Sequence, residues 1–489
     1  MPERPGTEDN PLRVGIVGSG PSAFYAAGDL LKSKAHPELV AEVDMFDRLP
    51  TPWGLVRGGV APDHPNIKAV SRVFEKTAAR PGFRFFGNVE VGRDISAGEL
   101  AAHYHAVVYA VGAQTDRQLG IPGEELPGSY SATDFVAWYN GHPDFCRCEF
   151  DLSCRTAVVV GNGNVALDVA RMLALTPDEL AGTDVADHAL EALRGAAIEE
   201  IVLLGRRGPA QAAFTNPELR ELGELKDADV MVDPADVVLD EHSAQAIARQ
   251  GELTERRNVE ILTGYSQRPL SGKRQRVSLR FFVSPVAILG SSRVEGVEVV
   301  RNTLSRDADG KLRALSTERH ETLEAGIVFR SIGYRGVPLP GVPFDEVHGT
   351  IPNDRGRVID AREQEAIPGL YAVGWIKRGP SGVIGTNKRD AQETVNLLIE
   401  DLHEGRLPAV GGGAGGAGGD GGASTSVEQL LSGREVEYVS YAGWEAIDRA
   451  ERAAGEPQGR PRVKLCSFEE LLAAARAEAA VGPEAAVRE

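Results

Sequence analysis

The sequence predicts an α/β protein with two doubly wound parallel sheets, and three observations support this fold class. A buried strand, a glycine-rich turn and a helix of small residues follow one another near position 12. The same order restarts near position 156. Strands that alternate with helices favour a parallel sheet covered on both faces. In addition, 489 residues are too many for one ordinary domain, and the length alone predicts roughly two to four domains.

The first unit begins with a short buried strand. Residues 12–18 read LRVGIVG, and the helix PSAFYAAGDLLKS follows the turn. The next strand, AEVDMFD, ends at Asp47, and residues 105–113, HAVVYAVGA, form a further apolar strand that stops at a glycine. Short apolar runs bounded by turn residues are typical of buried strands. The order strand, turn, helix, strand predicts the start of a doubly wound sheet.

The first glycine-rich turn has the pattern G-x-G-x-x-A. Gly18 permits the tight turn, Gly20 lets the backbone approach a pyrophosphate, and Ala23 keeps the helix close to the strand. Free N–H groups and the positive end of the helix then face the phosphate oxygens. Asp47, 29 positions after Gly18, closes the second strand, where a carboxylate accepts hydrogen bonds from ribose hydroxyls and repels a 2′-phosphate. This site is predicted to take FAD or NAD; the alternative is a plain glycine turn with a surface Asp.

The second unit repeats this order but ends on the opposite charge. Residues 156–161, TAVVVG, and 199–207, EEIVLLGRR, read as strands. The turn after the first of them consists of Gly161, Asn162, Gly163, Asn164, Val165 and Ala166. Arg206 and Arg207 close the second strand, and two guanidiniums suit a dianionic 2′-phosphate through charge-assisted, bidentate bonds. Two Rossmann-like openings thus predict FAD at the first site and NADPH at the second, unless the arginines form only a solvated basic turn.

The rest of the chain adds two strand-then-glycine segments, a linker and a tail. Residues 325–336, AGIVFRSIGYRG, and 369–387, GLYAVGWIKRGPSGVIGTN, are the strand segments. Residues 411–422, GGGAGGAGGDGG, are a flexible linker by composition. From about residue 427 helical periodicity returns in two amphipathic stretches, so the tail is expected to dock on the body.

Composition and charge argue against several classes of protein. The net charge is -18, whereas a nucleic-acid-binding protein usually presents a basic face, so no nucleic-acid partner is expected. No apolar run approaches the ~18 residues of a membrane-spanning helix, so no integral membrane segment is predicted. The opening MPERPGTEDNPLRV lacks the apolar region of a secretory signal, and a cytoplasmic location is therefore expected.

Four cysteines are too few for a disulfide scaffold in a chain of this length. Three of them, Cys146, Cys148 and Cys154, form C-x-C-x5-C, which is compatible with a metal or iron–sulfur site. A four-ligand site would need one more residue, and no C-x-x-C is present. Ordinary reduced thiols are the favoured interpretation, and no metal is predicted.

Five motifs in sequence order carry a resemblance to a known family. They are GSGPSA, LPTPWGLVRGGVAPDHP, GNGNVALDVAR, GRRGPAQAAFTNPELRE and VGWIKRGPSGVIGTNKRDA. Together they resemble the ferredoxin–NADP reductases of the adrenodoxin reductase type, bacterial members above all. The resemblance runs from about residue 12 to 406 and resumes in the tail at WEAIDRAERAAGEPQGRPRVKL. The glycine linker is a departure from the family pattern.

The resemblance implies an NADP domain inserted into a split FAD domain. Here the FAD domain would comprise residues 1–113 and 332–489, and the NADP domain residues 114–331. The implied function is a flavoprotein reductase that takes a hydride from NADPH onto FAD and passes single electrons to a ferredoxin. Because ferredoxins are acidic, a basic docking patch is expected, formed by Arg249, Arg256, Arg257, Lys273, Arg274 and Arg276.

The resemblance also assigns individual residues. Besides Gly18, Gly20, Ala23 and Asp47, it implies FAD contacts for Pro21, Leu55, Trp375, Gly382, Val383 and Ile384. It implies NADP contacts for Gly161, Asn162, Gly163, Asn164, Arg206, Arg207, Glu218 and Gly382, the last where nicotinamide meets flavin. His64 and Glu221 match the active-site His and Glu of the family. Judged by the residue alone, His64 in the loop PDHPN is a group that titrates near neutral pH or merely part of a turn.

Other functions use the same two nucleotides. A flavin-dependent disulfide reductase needs a redox-active cysteine pair, usually C-x-x-C or C-x4-C, and the sequence has neither. A flavin monooxygenase, or a flavin-bearing subunit of a larger electron-transfer complex, stays open. Bleaching of the flavin spectrum by NADPH would separate a reductase from a subunit that only binds its cofactors.

Overall fold

The computed structural model describes residues 4–32, 36–250, 253–360, 362–410 and 426–479. The glycine linker predicted at residues 411–422 lies outside this part of the chain. Within it, no helix is long and apolar enough to cross a membrane.

Strands and helices alternate through most of the described chain. The strands are β1 (Leu12–Val17), β2 (Ala41–Asp47), β3 (Phe83–Gly87), β4 (Ala106–Tyr109), β5 (Thr115–Asp116), β6 (Ser129–Ser131), β7 (Thr156–Val160), β8 (Glu200–Gly205), β9 (Ala228–Val232), β10 (Gln275–Phe281), β11 (Val283–Leu289), β12 (Gly296–Arg306), β13 (Leu312–Glu324), β14 (Ile327–Arg330), β15 (Tyr334–Arg335), β16 (Asn353–Asp354), β17 (Arg357–Ile359) and β18 (Ala366–Ala372). The helices are α1 (Pro21–Leu31), α2 (Leu55–Gly58), α3 (Pro65–Lys68), α4 (Ser71–Ala78), α5 (Ala97–His103), α6 (Ala132–Tyr139), α7 (Asn164–Ala174), α8 (Pro177–Ala181), α9 (Asp187–Arg194), α10 (Asn216–Leu222), α11 (Glu241–Gln250), α12 (Leu253–Ser266), α13 (Trp375–Arg378), α14 (Thr386–His403), α15 (Val427–Gly433), α16 (Tyr441–Gly455) and α17 (Phe468–Ala479), with short 3₁₀ turns at Pro209–Gln211 and Glu456–Gln458.

The first sheet has the strand order β16-β17-β18-β4-β1-β2-β3. The five strands from β18 to β3 are parallel, and β16 and β17 form an antiparallel edge. Leu12, Val14 and Ile16 of β1 are fully buried, as expected for a parallel strand with helices on both faces. The β1, α1, β2 order predicted from the sequence is the centre of this sheet.

The second sheet has the order β6-β14-β7-β8-β10-β9 and is parallel throughout. All of its strands fall between residues 129 and 330, whereas the first sheet uses strands from both before and after that stretch. The second sheet is therefore built from a segment inserted into the first. The predicted fold class, two doubly wound units with one inserted into the other, is confirmed.

A three-stranded antiparallel sheet, β11-β12-β13, extends from the end of β10. Its long β12–β13 hairpin is anchored part-way along β12 by Asn302, which is buried. The Asn302 amide Nδ2 donates to the backbone oxygen of Arg206 at 2.9 Å and to Ser284 Oγ at 2.8 Å. The hairpin is thereby fastened to the residue that follows β8.

The tail returns to the beginning of the chain. Trp444 of α16 packs edge-on against Trp53, with ring centroids 4.8 Å apart. Glu451, which is fully buried, forms an ion pair with Arg57 at 2.5 Å. A buried carboxylate requires such a partner, because an unpaired charge in the interior is strongly destabilising.

Beyond α16 the tail crosses to the inserted unit through two buried cations. The Arg460 guanidinium donates to the backbone oxygens of Thr183 and Val185. The Lys464 Nζ donates to Asn140 Oδ1 at 3.0 Å and to the backbone oxygen of Arg57 at 3.2 Å. One short segment therefore holds both units through side-chain hydrogen bonds to each of them.

Candidate functional site

The first glycine-rich turn leaves open space above the start of α1. Gly18 has φ +101°, and a Cβ there would lie 2.6 Å from the backbone oxygen of Ala110. A Cβ on Gly20, by contrast, would meet no atom within 4 Å. Gly20 caps α1 without a side-chain hydrogen bond, so no side chain occupies the N–H groups of the first turn. Together the open space and the uncapped N–H groups fit a pyrophosphate.

The Asp47 carboxylate is hydrogen-bonded to this turn. Its Oδ2 accepts from the Ser19 backbone N–H at 2.9 Å and from the Ser19 hydroxyl at 2.5 Å, and its Oδ1 accepts from the Leu49 N–H at 2.9 Å. A carboxylate offers about four acceptor positions, so one remains on Oδ1 for a ribose hydroxyl. Burial raises the pKa of Asp47, against the hydrogen bond from Ser19.

Trp53 lies beside the same turn and was not foreseen. Its backbone N–H donates to the Ser19 oxygen at 2.9 Å, and it adopts φ +85°, a left-handed conformation that costs a non-glycine residue about 1–3 kcal/mol. Its buried indole Nε1 has no partner in the described part of the chain. Such an unmet donor fits a site completed by a bound molecule. Leu55 follows, half-buried, at the start of α2.

The predicted flavin contacts of the C-terminal half lie between β18 and α14. A Cβ on Gly374 would be 2.5 Å from Ser22 Oγ, which places the start of α13 directly against α1. Trp375 follows, with its ring 5.3 Å from that of Tyr334. The remaining predicted contacts are on the surface: Gly382 and Val383 are exposed, and Ile384 is half-buried.

The second turn repeats the first. Gly161 has φ +143°, and a Cβ there would lie 2.1 Å from the Ser331 oxygen, whereas a Cβ on Gly163 would meet nothing within 4 Å. The two asparagines of the turn hold the loop that follows β8. The Asn162 backbone oxygen accepts from the Ala213 N–H at 2.9 Å, and the Asn164 side-chain Oδ1 accepts from the Thr215 N–H at 2.8 Å.

Arg206 and Arg207 follow β8, the first exposed and the second half-buried. Arg207 lines a cavity of about 430 Å³ together with Ala210, Gln211, Ile247, Glu255, Arg306, Lys311, Leu312 and Arg313. Burial, and then the neighbouring charges of Arg206 and Arg313, lower the pKa of Arg207. Positive groups in excess around one cavity fit an anionic ligand.

His64 and Glu221 are brought together although 157 positions separate them. His64 Nε2 lies 2.7 Å from Glu221 Oε2. His64 is buried, whereas 43% of the Glu221 side chain is exposed, so the pair lies at the boundary between the interior and solvent. Glu218, the predicted NADP contact, lies in the same cluster, 3.7 Å from His64 Nε2, and is buried.

Arg171 of α7 is the centre of this cluster and was missed in the sequence. Its guanidinium holds Asp63 through two bonds of 2.6 and 3.2 Å and contacts Asp168 at 2.9 Å and Glu218 at 3.2 Å. It also lies 3.4 Å from His64 Nδ1. Because a guanidinium can only donate, Nδ1 must accept, and neutral His64 then carries its proton on Nε2, facing Glu221.

Carboxyl groups outnumber cations around His64. Burial raises the pKa of Asp168 to about 7, and the negative charges of Glu218 and Asp63 add to this against Arg171. Burial also acts on Asp63, but the hydrogen bond and charge of Arg171 hold its pKa below the usual value. The site thus contains one carboxyl group that exchanges its proton near neutral pH.

Two groups of side chains within the described residues have a spacing that could hold a metal: His64 with Asp168 and Glu218, and His36 with Glu38 and His403. In the first group Arg171 already supplies the positive charge, which disfavours a cation. All four cysteines are free thiols. Burial raises the pKa of Cys466 to about 12, so that thiol is unreactive at neutral pH.

Comparison with known proteins adds an independent result. Residues 12–281 match the pyridine nucleotide-disulphide oxidoreductase family. The NADPH-ferredoxin reductase FprA of Mycobacterium tuberculosis is 53% identical over 463 residues, 94% of this chain and 98% of that protein. The mitochondrial NADPH:adrenodoxin oxidoreductase of Arabidopsis thaliana is 43% identical over 484 residues, 95% of each chain. A solved structure of Mycobacterium tuberculosis FprA in complex with NADPH matches with a TM-score of 0.87 and 52% identity, over 96% of this chain and 100% of that one.

Proposed function

The chain belongs to the pyridine nucleotide-disulphide oxidoreductase family, in the group of NADPH–ferredoxin reductases related to adrenodoxin reductase, and we propose that it carries electrons from NADPH through FAD to a ferredoxin. One structural observation carries this most directly. Each of the two open glycine turns is followed by a helix and a second strand, and the residues at the end of that strand differ. The strand of the first unit ends at Asp47, whereas Arg206 and Arg207 follow the strand of the second unit. An acid suits a ribose, and two guanidiniums suit a 2′-phosphate.

The two units divide the cofactors between them. We assign FAD to residues 1–113 with 332–489, and NADPH to residues 114–331. The sheets support this division, since the first contains the turn at Gly20 and the second the turn at Gly163. FAD, when bound, accepts two electrons as a hydride and releases them singly.

The chain itself orients the reacting groups. Uncapped N–H groups of α1 and α7 would bind the pyrophosphates, and Trp375 with Gly382, Val383 and Ile384 would lie against the flavin. The His64 Nε2 proton, directed at Glu221 by the contact of Nδ1 with Arg171, places a polar pair between the two units. Its proposed role is to position the dinucleotide and to exchange protons with solvent through the exposed side of Glu221.

A disulfide reductase is not supported, although the family name includes that activity. Such an enzyme needs a redox-active cysteine pair, usually C-x-x-C or C-x4-C, and the sequence has neither. We also propose a cytoplasmic location, which is consistent with a chain that has too few cysteines for a disulfide scaffold.

Anaerobic titration with NADPH tests the proposed function. The purified protein should be yellow, and about one equivalent of NADPH should bleach it, whereas NADH should act far more slowly. A ferredoxin should then couple NADPH oxidation to cytochrome c reduction. A yellow protein that NADPH does not bleach would contradict the proposal.

A further inference from the structure

The tip of the β12–β13 hairpin lies beside the proposed NADPH site. The hairpin is fixed to the backbone of Arg206 by Asn302, part-way along β12. Its tip supplies Arg306, Lys311 and Arg313 to the cavity that Arg207 also lines. Asn302 therefore fastens the middle of the hairpin beside Arg206, and the tip borders the cavity that Arg207 lines.

The tip is internally ordered around Asp307. Its Oδ1 accepts from the Lys311 backbone N–H at 2.8 Å, and its Oδ2 accepts from Arg313 Nε at 2.8 Å. Arg306 donates to the backbone oxygen of Gly310 at 2.6 Å, and Gly310 adopts the left-handed φ of +76° that this turn requires. These bonds hold the Arg306 and Arg313 side chains and the backbone at Lys311 in place before any ligand binds, which lowers the entropy that binding costs.

The charges of the cavity are not balanced. Among the described residues that line it, Arg207, Arg306, Lys311 and Arg313 are cations, and Glu255 is the one acid. Asp307 neutralises part of this charge through Arg313. The excess of like charges is unfavourable unless an anion enters, and a phosphate dianion is the group best matched to it.

We propose that the hairpin tip is a second half of the 2′-phosphate site, in which Lys311 and Arg313, with Arg306, face Arg206 and Arg207 across the 2′-phosphoadenosine end of NADPH. The inference rests on the proposed function, which assigns that end of the dinucleotide to Arg206 and Arg207. The tip cations contribute to the preference for NADPH over NADH.

An unmet acceptor in the same cavity supports a nucleoside ligand. Gln211 Oε1 is buried and has no partner in the described residues, while its Nε2 donates to Ser243 Oγ at 3.0 Å. A buried acceptor without a donor is destabilising, because it has lost its hydrogen bonds to water without replacing them. An adenine amino group or a ribose hydroxyl would supply that donor; an inorganic anion without a proton would not.

Binding of nucleotide fragments to the FAD-loaded protein tests the proposal without measuring activity. Calorimetry would compare 2′,5′-ADP with 5′-AMP for wild type and for Lys311→Gln/Arg313→Gln. The control is Arg319→Gln, an exposed cation on the same hairpin that does not line the cavity. The tip variant should weaken 2′,5′-ADP binding by about 10-fold or more and change 5′-AMP binding by less than about 2-fold. Lys311→Arg/Arg313→Lys should restore binding to near the wild-type value.

A parallel variant, Arg206→Gln/Arg207→Gln, separates the hairpin proposal from the proposed function, which assigns the 2′-phosphate to these two arginines. If it loses 2′,5′-ADP while the tip variant binds as tightly as wild type, the hairpin proposal is wrong and the assignment of the two arginines stands. If neither variant loses affinity, the 2′-phosphate lies elsewhere and both proposals fall. An equal loss of 2′,5′-ADP and 5′-AMP in the tip variant would also overturn the hairpin proposal.

Discussion

Single residues around His64 show how the site is electrically arranged. Asp63, Asp168, Glu218 and Glu221 surround one histidine and one guanidinium. With Arg171 as the one permanent cation of the group, protonation of Asp168 brings the cluster closer to neutrality. The raised pKa of that group, about 7, is a measurable consequence.

Asp168→Asn should make the stability of the protein less dependent on pH. In the folded state the Asp168 pKa is about 7, against 3.8 for the free group, so between about pH 4 and 7 the folded protein binds more protons than the unfolded chain. Stability from this residue is then lost as the pH rises through that window. Urea unfolding of the FAD-loaded protein at pH 5 and pH 8 should show a drop for wild type that is smaller in the variant, by about 2–4 kcal/mol. Parallel curves for the two proteins would show that Asp168 ionises normally.

His64→Gln should slow reduction of the flavin while FAD stays bound. Glutamine keeps an N–H that can donate to Glu221. It has no group that gains or loses a proton, and it has no ring nitrogen for Arg171 to contact. Stopped-flow bleaching by NADPH should be about 10- to 100-fold slower, with a changed pH profile. His348→Gln, an exposed histidine paired only with Asp345, is the matched control. Rates equal to wild type at every pH would leave His64 and Glu221 with a structural role.

At the scale of elements, the two glycine turns give a pair of matched variants. Gly20→Val and Gly163→Val each add a Cβ that has no described atom within 4 Å, at a backbone conformation that valine accepts. Neither should disturb the fold, so any loss reports on the space reserved for a ligand. Gly20→Val should purify without FAD; Gly163→Val should stay yellow but resist bleaching by NADPH. A yellow Gly20→Val protein with normal FAD content would remove the first turn from the site.

Sequence pattern predicted the elements that carry these turns but not the hairpin. Apolar runs such as LRVGIV mark buried parallel strands whatever their partners are. The strand β13, LRALSTERHETLE, is exposed along most of its length, so burial imposes no apolar alternation on it. The role of Arg171 could not be predicted from the sequence for another reason. Its partners Asp63 and Glu218 lie 108 and 47 positions away, and only the fold brings them together.

For the whole molecule, an acidic ferredoxin needs a local basic docking surface, because the overall charge is -18. Two cations of the predicted basic patch already have partners within the chain. Lys273 Nζ donates to the Leu225 oxygen, and Arg274 pairs with Asp227. Arg256 and Arg257 of α12 and Arg276 of β10 are exposed, and the side chain of Arg249 lies outside the described part.

Arg256→Glu/Arg257→Glu should weaken coupling to ferredoxin. Opposite charges steer the encounter of two proteins, and salt weakens this steering because the Debye length is about 8 Å at physiological ionic strength. Ferredoxin-dependent cytochrome c reduction should fall several-fold in the variant and lose part of its salt dependence, while ferricyanide reduction holds. Arg155→Glu, an exposed arginine on the same unit, serves as the control. A variant that couples normally would place the ferredoxin on another surface.

The pairing of Arg57 with Glu451 has a consequence for synthesis of the chain. The two residues are 394 positions apart, so at about 5–20 residues per second the ribosome delivers the partner of Arg57 roughly 20–80 s after Arg57 itself. The inserted unit, complete by residue 330, can fold on the ribosome meanwhile. The first sheet must wait for β18, and Trp53 for Trp444. The nascent first unit therefore presents apolar surface for tens of seconds, and a ribosome stalled before residue 451 would leave the second sheet complete and the first unit without its tail contacts.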